Sequence, residues 1–443
     1  MSFLLQIQFR IRKLFPFTSN SKLKAVIANI SWLFFDQVLR MGTSLVVGVW
    51  VARYLGVQQY GILNYAIAFV ALFSPIANLG LDSIVVRDLV RDGLEREKIL
   101  GTTFWLKVFG GFISLLLALT CILFLRQNDH LTVWIVVILA TAGIFQAFDT
   151  IDFWFQSQVQ SKYTVVAKNT SFLVIALVRV ALIQMQAPLI AFAWTALAEI
   201  GLGGIGLAIV YRVKGWSLSL WRWSLPLAKK LLKESYPLIL SGFTIMIYMR
   251  TDQIMLGQMI GDSAVGNYSA ATRVSEMWYF IPMAITSSVS PAIYEAKESS
   301  EVLYYQRIKK LLRLMVGISI FIAIPMTFFA DTIITMLFGD GYAEAKTILA
   351  IHIWASLFVF LGVATSPWFI AENLTNLSLR RTLIGAIANI ILNLFLIPRY
   401  AGFGAAIATV ISQAFASFLS NAINPETQKL FIIQIKSFLF LQK

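Results

Sequence analysis

The chain has 443 residues, of which 58% are hydrophobic and 13% charged, with a mean hydropathy of +0.76. Soluble proteins carry roughly 25% charged residues, so most of this surface must face something other than water, which excludes a secreted disulfide scaffold, a disordered chain and a typical cytosolic enzyme. The charge is lopsided, 36 Lys and Arg against 22 Asp and Glu, and marks either an anionic partner or the cytoplasmic loops of a membrane protein.

The first 25 residues hold Arg10, Arg12, Lys13, Lys22 and Lys24 and no acid. No apolar run with a small-residue cleavage site follows. The segment is expected to stay on the cytoplasmic face, offering Phe3, Leu4, Leu5, Ile7, Phe9 and Ile11 to the membrane interface.

A helix needs about 20 mainly apolar residues to cross the hydrocarbon core. Twelve such runs are expected, near 29–53, 61–80, 101–125, 131–155, 163–185, 188–212, 235–259, 265–291, 309–330, 347–370, 377–397 and 402–422. The apolar part of the tail after Asn424 is too short for a thirteenth and suits an interfacial helix. The distribution of bases tests the count: with these spans, 26 of the 36 Lys and Arg fall on the side of the N-terminus and four, Arg53, Arg126, Lys346 and Arg399, on the other. Both termini are therefore expected in the cytoplasm, and most of the positive charge reports topology.

The loops near 81–100 and 213–234 are expected to form short amphipathic helices, the second presenting Trp216, Trp221 and Trp223 to the headgroup layer. The lone cysteine, Cys121, lies in an apolar run and allows no disulfide within the chain.

The first span ends in YLGVQQYGILNYA and the seventh in QMIGDSAVGNYSA. Gly56 and Gly61 in one match Gly261 and Gly266 in the other at an offset of 205, each pair followed by a tyrosine (Tyr65, Tyr268) and then a mid-span proline (Pro75, Pro282). The expected architecture is an all-α polytopic membrane protein of about twelve helices in two six-helix bundles, related by a pseudo-two-fold along the membrane normal and suited to alternating access. Its divisions are a basic N-terminal segment 1–24, a bundle 25–213, a connector 214–234, a bundle 235–422 and a cytoplasmic or interfacial tail 423–443.

Ionisable residues within spans are costly and are functional candidates by default. Lys107, Lys168 and Arg179 lie near span ends and can snorkel. Arg40, Arg250 and Arg273 are deeper, roughly 12–14 Å from the outer end for the last two at 1.5 Å per residue. Asp36 shares a helix face with Arg40, and Glu276 with Arg273, whereas Asp252 points away from Arg250 and needs a partner elsewhere. Arginine suits a bidentate grip on phosphate, so Arg40, Arg250 and Arg273 are the candidate substrate-binding residues. Asp36, Asp252, Glu276 and Glu199 are the candidates for charge pairing or ion coupling. Glu199, in WTALAEIGLGGIG, has no base nearby in sequence and could exchange a proton during transport. Asp149 and Asp152 read as a solvated cavity mouth. His130 and His352 lack a partner at ligand spacing, so no metal site is inferred. Pro75, Pro282, Pro325 and Pro367 are expected to kink their helices.

The runs ARYLGVQQYGILNYAIAFVALF, GLDSIVVRDLVRD, YMRTDQIMLGQMIG, NYSAATRVSEMWYFIP and YAGFGAAIATVISQ resemble the polysaccharide-repeat (O-antigen, Wzx-type) lipid flippases of the multidrug/oligosaccharidyl-lipid/polysaccharide exporter superfamily. The resemblance covers about residues 25–422. It implies a twelve-helix transporter that moves an anionic undecaprenyl-pyrophosphate-linked oligosaccharide from the cytoplasmic to the outer leaflet of a bacterial inner membrane through a cationic central cavity. Onto that role it carries Arg40, Arg250 and Arg273, with the acids Asp36, Asp252 and Glu276. The lipid bilayer is a partner, with a polysaccharide polymerase and assembly proteins beside it; no nucleic acid, cofactor, metal or catalytic residue is expected. No Gly-x4-Gly-Lys-Ser/Thr loop for ATP is present. The rival readings are a drug/cation antiporter of the same fold, whose cavity should favour acids, a lipid II flippase with two further helices, and a membrane glycosyltransferase or polymerase, which would need a larger outer loop than any here.

Overall fold

A computed structural model describes residues 20–91 and 95–438; the N-terminal apolar side chains expected at the interface lie outside these residues. The chain is an all-α polytopic membrane protein. Its helices are α1 (Asn20–Asn78), α2 (Asp82–Arg91), α3 (Arg96–Leu125), α4 (His130–Phe145), α5 (Asp149–Ser157), α6 (Lys162–Gln184), α7 (Leu189–Val213), α8 (Leu225–Met259), α9 (Asp262–Glu276), α10 (Phe280–Ser299), α11 (Glu301–Phe328), α12 (Ala330–Phe338), α13 (Ala343–His352), α14 (Ala355–Ala371), α15 (Thr375–Ala414), α16 (Ser420–Ile423) and α17 (Gln428–Phe438). By length and composition, seven helices of the described residues can cross a membrane, or eight if α13 and α14, bent by 45° at their junction, form one span. Two of the seven are long bent rods in which the sequence reading places two spans each. α1 breaks at Gly56, whose φ of 70° suits glycine, and α15 at Ala401. Pro282 lies just after the 3-10 turn Met277–Tyr279 that separates α9 from α10. Its missing N–H and the clash of its ring with the carbonyl four residues back account for a break there.

The chain forms two compact units, one of residues up to Gly48 with Phe73–Ile239, the other of Val49–Leu72 with Leu240–Lys443. The core of the first gathers Leu81, Val85, Leu100, Ile151, Phe155 and Leu231. The segment 215–224 is not the expected amphipathic helix. It is a turn with one 3-10 loop, Leu218–Leu220, after which α8 starts at Leu225. Trp216 packs edge to face with Trp154 at 5.3 Å and beside Tyr211, and the indole N–H of Trp221 donates to the Tyr211 hydroxyl at 3.3 Å, so these two rings, partly buried, pack against the unit's core. Trp223 is exposed. The backbone of Arg222 lies so close to Gly101 that a Cβ there would meet it at 2.5 Å. Arg87, exposed at this cap, forks between Asp88 and Glu234; the hydrogen bond to Glu234, then that to Asp88, holds its guanidinium above the ordinary arginine range.

The core of the second unit is built around Tyr304, Leu312, Val316, Phe360 and Trp368. The tail helix α17 packs on it through buried Leu430, with Lys429 reaching Glu301 at 2.8 Å. The outer hairpin of α1 belongs to this unit too. Gln58 accepts from Ser263, Ala52 O accepts from the Tyr342 hydroxyl at 2.6 Å, Arg53 donates to the carbonyls of Met336 and Leu337, and Gln258 donates to Tyr65 at 2.6 Å. The two Gly-x4-Gly hairpins singled out in the sequence therefore face one another, and Gln58 and Ser263 are themselves 205 residues apart.

Candidate functional site

In the first unit a cavity of about 170 Å³ is lined by Arg40, Gln146, Asp149, Lys168 and Glu199 together with Phe145, Ile200, Gly203 and Gly204. That is room for roughly five waters at ~30 Å³ each. The sequence separates these lining residues by up to 164 positions. Three helix pairs bring them together. On α1, Asp36 and Arg40 share a face as the spacing predicts, and Arg40 Nε donates to Asp36 Oδ1 at 2.7 Å while its guanidinium stands 5.1 Å from the Phe172 ring. From α6, Lys168 Nζ reaches Asp149 at 2.8 Å and Asp152 at 3.1 Å. Across the α6–α7 hairpin, Arg179 Nη2 meets Glu199 at 2.9 Å and its Nε donates to Thr195 at 3.0 Å.

These contacts correct three expectations. Lys107, Lys168 and Arg179 do not snorkel. Lys107 is 1% exposed, with Nζ 4.9 Å from the centre of the Phe153 ring, and the other two carry ion pairs inside the unit. Charged side chains within spans typically face the bundle interior and pair with one another. Asp149 and Asp152 clasp Lys168 rather than forming a free mouth. Glu199, which has no base within a few turns on its own helix, is paired with Arg179 from the preceding one, a pairing that sequence spacing cannot show.

In the second unit, Asp252 is 5% exposed and its hydrogen-bond donors among the described residues are neutral. The Tyr268 hydroxyl donates to it at 2.6 Å, Thr409 at 2.5 Å and Asn393 Nδ2 at 2.6 Å, and Asn393 also donates to Asn389 Oδ1 at 3.0 Å. As its helical position predicts, Asp252 finds its partners away from Arg250, on α9 and α15. The Asn393 Oδ1 is buried with no hydrogen-bond partner among the described residues. His352, read from sequence as isolated, is buried beside this cluster: its Nδ1 is 2.6 Å from Ser275 Oγ and its ring lies edge-on to Tyr268 at 5.8 Å. The signal for this cluster was present as Asn389 and Asn393, two amides one turn apart on an apolar helix.

Arg250 carries charge toward Glu276, and its Nε is buried with no hydrogen-bond partner among the described residues. Arg273 donates to the Tyr60 hydroxyl at 3.3 Å, which ties α9 to the outer hairpin of α1. The sequence candidates thus fall into two groups, Asp36, Arg40 and Glu199 in the first unit and Arg250, Asp252, Arg273 and Glu276 in the second. Arg40 is engaged by a carboxylate in its own helix, whereas Arg250 has an unsatisfied donor. Among the described residues no group of three or more His, Cys, Asp or Glu is arranged to hold a metal ion.

The chain is 25% identical over 407 residues to a probable low-salt glycan biosynthesis flippase of Haloferax volcanii, covering 89% of this chain and 84% of that protein. It is 22% identical over 310 residues to a putative O-antigen transporter of Escherichia coli K12, covering 68% and 73%. Among solved structures it shares its fold with the lipid II flippase MurJ in an inward closed conformation (TM-score 0.71, 16% identity, 93% and 91% of the two chains) and with an inward-facing multidrug resistance MATE family transporter of the MOP superfamily (TM-score 0.71, 14% identity, 90% and 95%). The MatE family model matches residues 237–395. The model described as polysaccharide biosynthesis protein matches residues 26–297, more than half the chain. The chain belongs to the family of polysaccharide biosynthesis proteins, as the resemblance of its motifs implies.

Proposed function

We propose that this chain is a flippase that carries an undecaprenyl-pyrophosphate-linked oligosaccharide from the cytoplasmic to the outer leaflet of a bacterial inner membrane, with both termini cytoplasmic. Its family, and the glycan flippase and O-antigen transporter to which it is similar, support this substrate class. The observation that carries the reading is Arg250. An arginine donor buried in hydrocarbon without a partner costs about 1–3 kcal/mol or more, and a diphosphate oxygen is the acceptor that its planar fork matches best. Arg273 adds positive charge within the same unit; in the other unit Arg40 is a separate phosphate-binding candidate, free to exchange Asp36 for the ligand.

The reading extends to two six-helix bundles working by alternating access, for which the paired Gly-x4-Gly hairpins are the supporting feature. Asp252 serves ion coupling. It is a carboxylate among hydroxyls and amides, with an orphaned amide oxygen beside it, and accepts a proton or a small cation without breaking an ion pair. A polymerase and assembly proteins would take the product on the far side. The test is genetic. Expressed in a strain deleted for its own repeat-unit flippase, the chain restores surface polysaccharide when the donor's glycosyltransferases are supplied; accumulation of lipid-linked repeat units on the cytoplasmic side despite its presence in the membrane contradicts the reading.

A further inference from the structure

A second cavity, of about 350 Å³, lies in the second unit where the start of α15 passes the segment 415–427. That volume is within the roughly 300–1,000 Å³ range of small-ligand sites. Two arginines line it, Arg380 and Arg381. Arg381 donates to Thr365 Oγ1 at 3.1 Å and to Gly362 O at 3.3 Å, with its guanidinium 4.2 Å from the centre of the Phe369 ring, and no carboxylate of the described residues pairs with it or with Arg380. By contrast Arg40, Lys168 and Arg179, in the first unit, each meet an acid. Here two adjacent positive charges are left over, and the far wall offers neutral polar groups, Ser420 and Asn424.

The groove is built into the backbone. Phe415–Leu419 is a π turn, one residue wider than the α-helix around it, a feature that recurs at functional sites. Gly385 and Gly362 let neighbouring helices close on this turn; a Cβ at either would meet Ala416 or Ser417 at 2.6 Å. From the cavity an exposed apolar stripe runs along α15 through Ile384, Ile387, Ile391 and Phe395, at helical spacing. With no polar side chain in it, that stripe suits acyl chains and not sugar. The pattern of basic loops puts Arg380 and Arg381 on the cytoplasmic side, at headgroup depth.

We infer that this cavity binds the phosphate of an anionic membrane phospholipid, its headgroup between Arg380, Arg381 and Asn424 and its tails along the α15 stripe. The site is separate from the transport residues and holds whatever the transported glycan is. The source is a lipid and not free phosphate, because the apolar stripe would otherwise have no occupant.

The test uses the full chain in micelles with equal phosphatidylglycerol and phosphatidylcholine, read by native mass spectrometry. The wild type retains one phosphatidylglycerol in preference to phosphatidylcholine by about tenfold, as a charge-assisted contact of roughly 1.5 kcal/mol gives. Arg380→Gln, at an exposed position, brings the two lipids toward parity. So does Asn424→Asp, which keeps the side-chain oxygen that accepts from the Glu426 N–H but sets a negative charge at the mouth with both arginines in place. Arg381→Gln abolishes the preference where it folds. Excess inorganic phosphate leaves the lipid bound. Equal retention of the two lipids by the wild type, a preference that survives both Arg380→Gln and Asn424→Asp, or displacement of the lipid by phosphate alone overturns the assignment.

Discussion

Gly61 and Gly266 each lie against the backbone of the other's hairpin. A Cβ on Gly61 would overlap the carbonyl oxygen of Asp262, and one on Gly266 would overlap that of Val57. Both pairs obey the same 205-residue offset, so the contact is reciprocal, as a local two-fold requires. Neither position has a positive φ; glycine is needed there for close approach and not for conformation.

The contact predicts a cross-link. With Cys121 replaced by Ser, Gln58→Cys and Ser263→Cys form a disulfide on mild oxidation. Gly61→Ala or Gly266→Ala forces the hairpins apart. At about 1–3 kcal/mol for overpacking, cross-linking yield falls by roughly tenfold while the protein still reaches the membrane. An unchanged yield would mean the hairpins do not pack as described.

Much of the fold was legible because hydrophobic run length and basic loops are strong signals in a membrane chain. The hairpin glycines and the Asp36–Arg40 pair were readable from spacing alone. The pairs formed by Lys168 and Arg179 were not, since each joins residues 16 or more positions apart on neighbouring helices, and snorkelling was the only local resolution available to a charge near a span end. Asp252 was legible as needing a partner but not as meeting neutral donors. The contacts of Trp216 and Trp221 with Trp154 and Tyr211 were not legible, because composition does not show which ring a tryptophan packs against.

Lys168→Met leaves Asp149 and Asp152 without the cation that is ion-paired to both. A fully buried broken pair costs about 3–5 kcal/mol; these side chains are partly accessible, so the expected loss is about 2 kcal/mol. It should appear as a lower melting temperature in detergent, and Asp149→Asn in the same chain should restore part of it. No loss in Lys168→Met would show that the pair contributes nothing.

Glu199→Gln tests a different point. Because Arg179 engages this carboxylate, the substitution should reduce thermal stability and couple with Arg179→Met by about 1 kcal/mol in a double-mutant cycle, leaving the pH dependence of transport as it was. A changed pH profile at unaltered stability would return Glu199 to the ion pathway.

Asp252→Asn keeps the shape of the side chain among Tyr268, Thr409 and Asn393 but removes its charge. Transport driven by an imposed ion gradient should drop to the rate without a gradient, in protein that elutes and melts much like the wild type. Gradient dependence retained by this variant would remove Asp252 from coupling.

The measurement closest to the central claim is translocation in vesicles of purified protein and an undecaprenyl-pyrophosphate-linked oligosaccharide, scored by how much of the inner-leaflet pool becomes accessible outside. The wild type should equilibrate the leaflets. Arg250→Ala should slow this by roughly tenfold or more, the loss of one charge-assisted contact of about 1.5–3 kcal/mol, with Arg250→Lys intermediate. Failure of the wild type to move this lipid, or an Arg250→Ala rate equal to its own, would contradict the account.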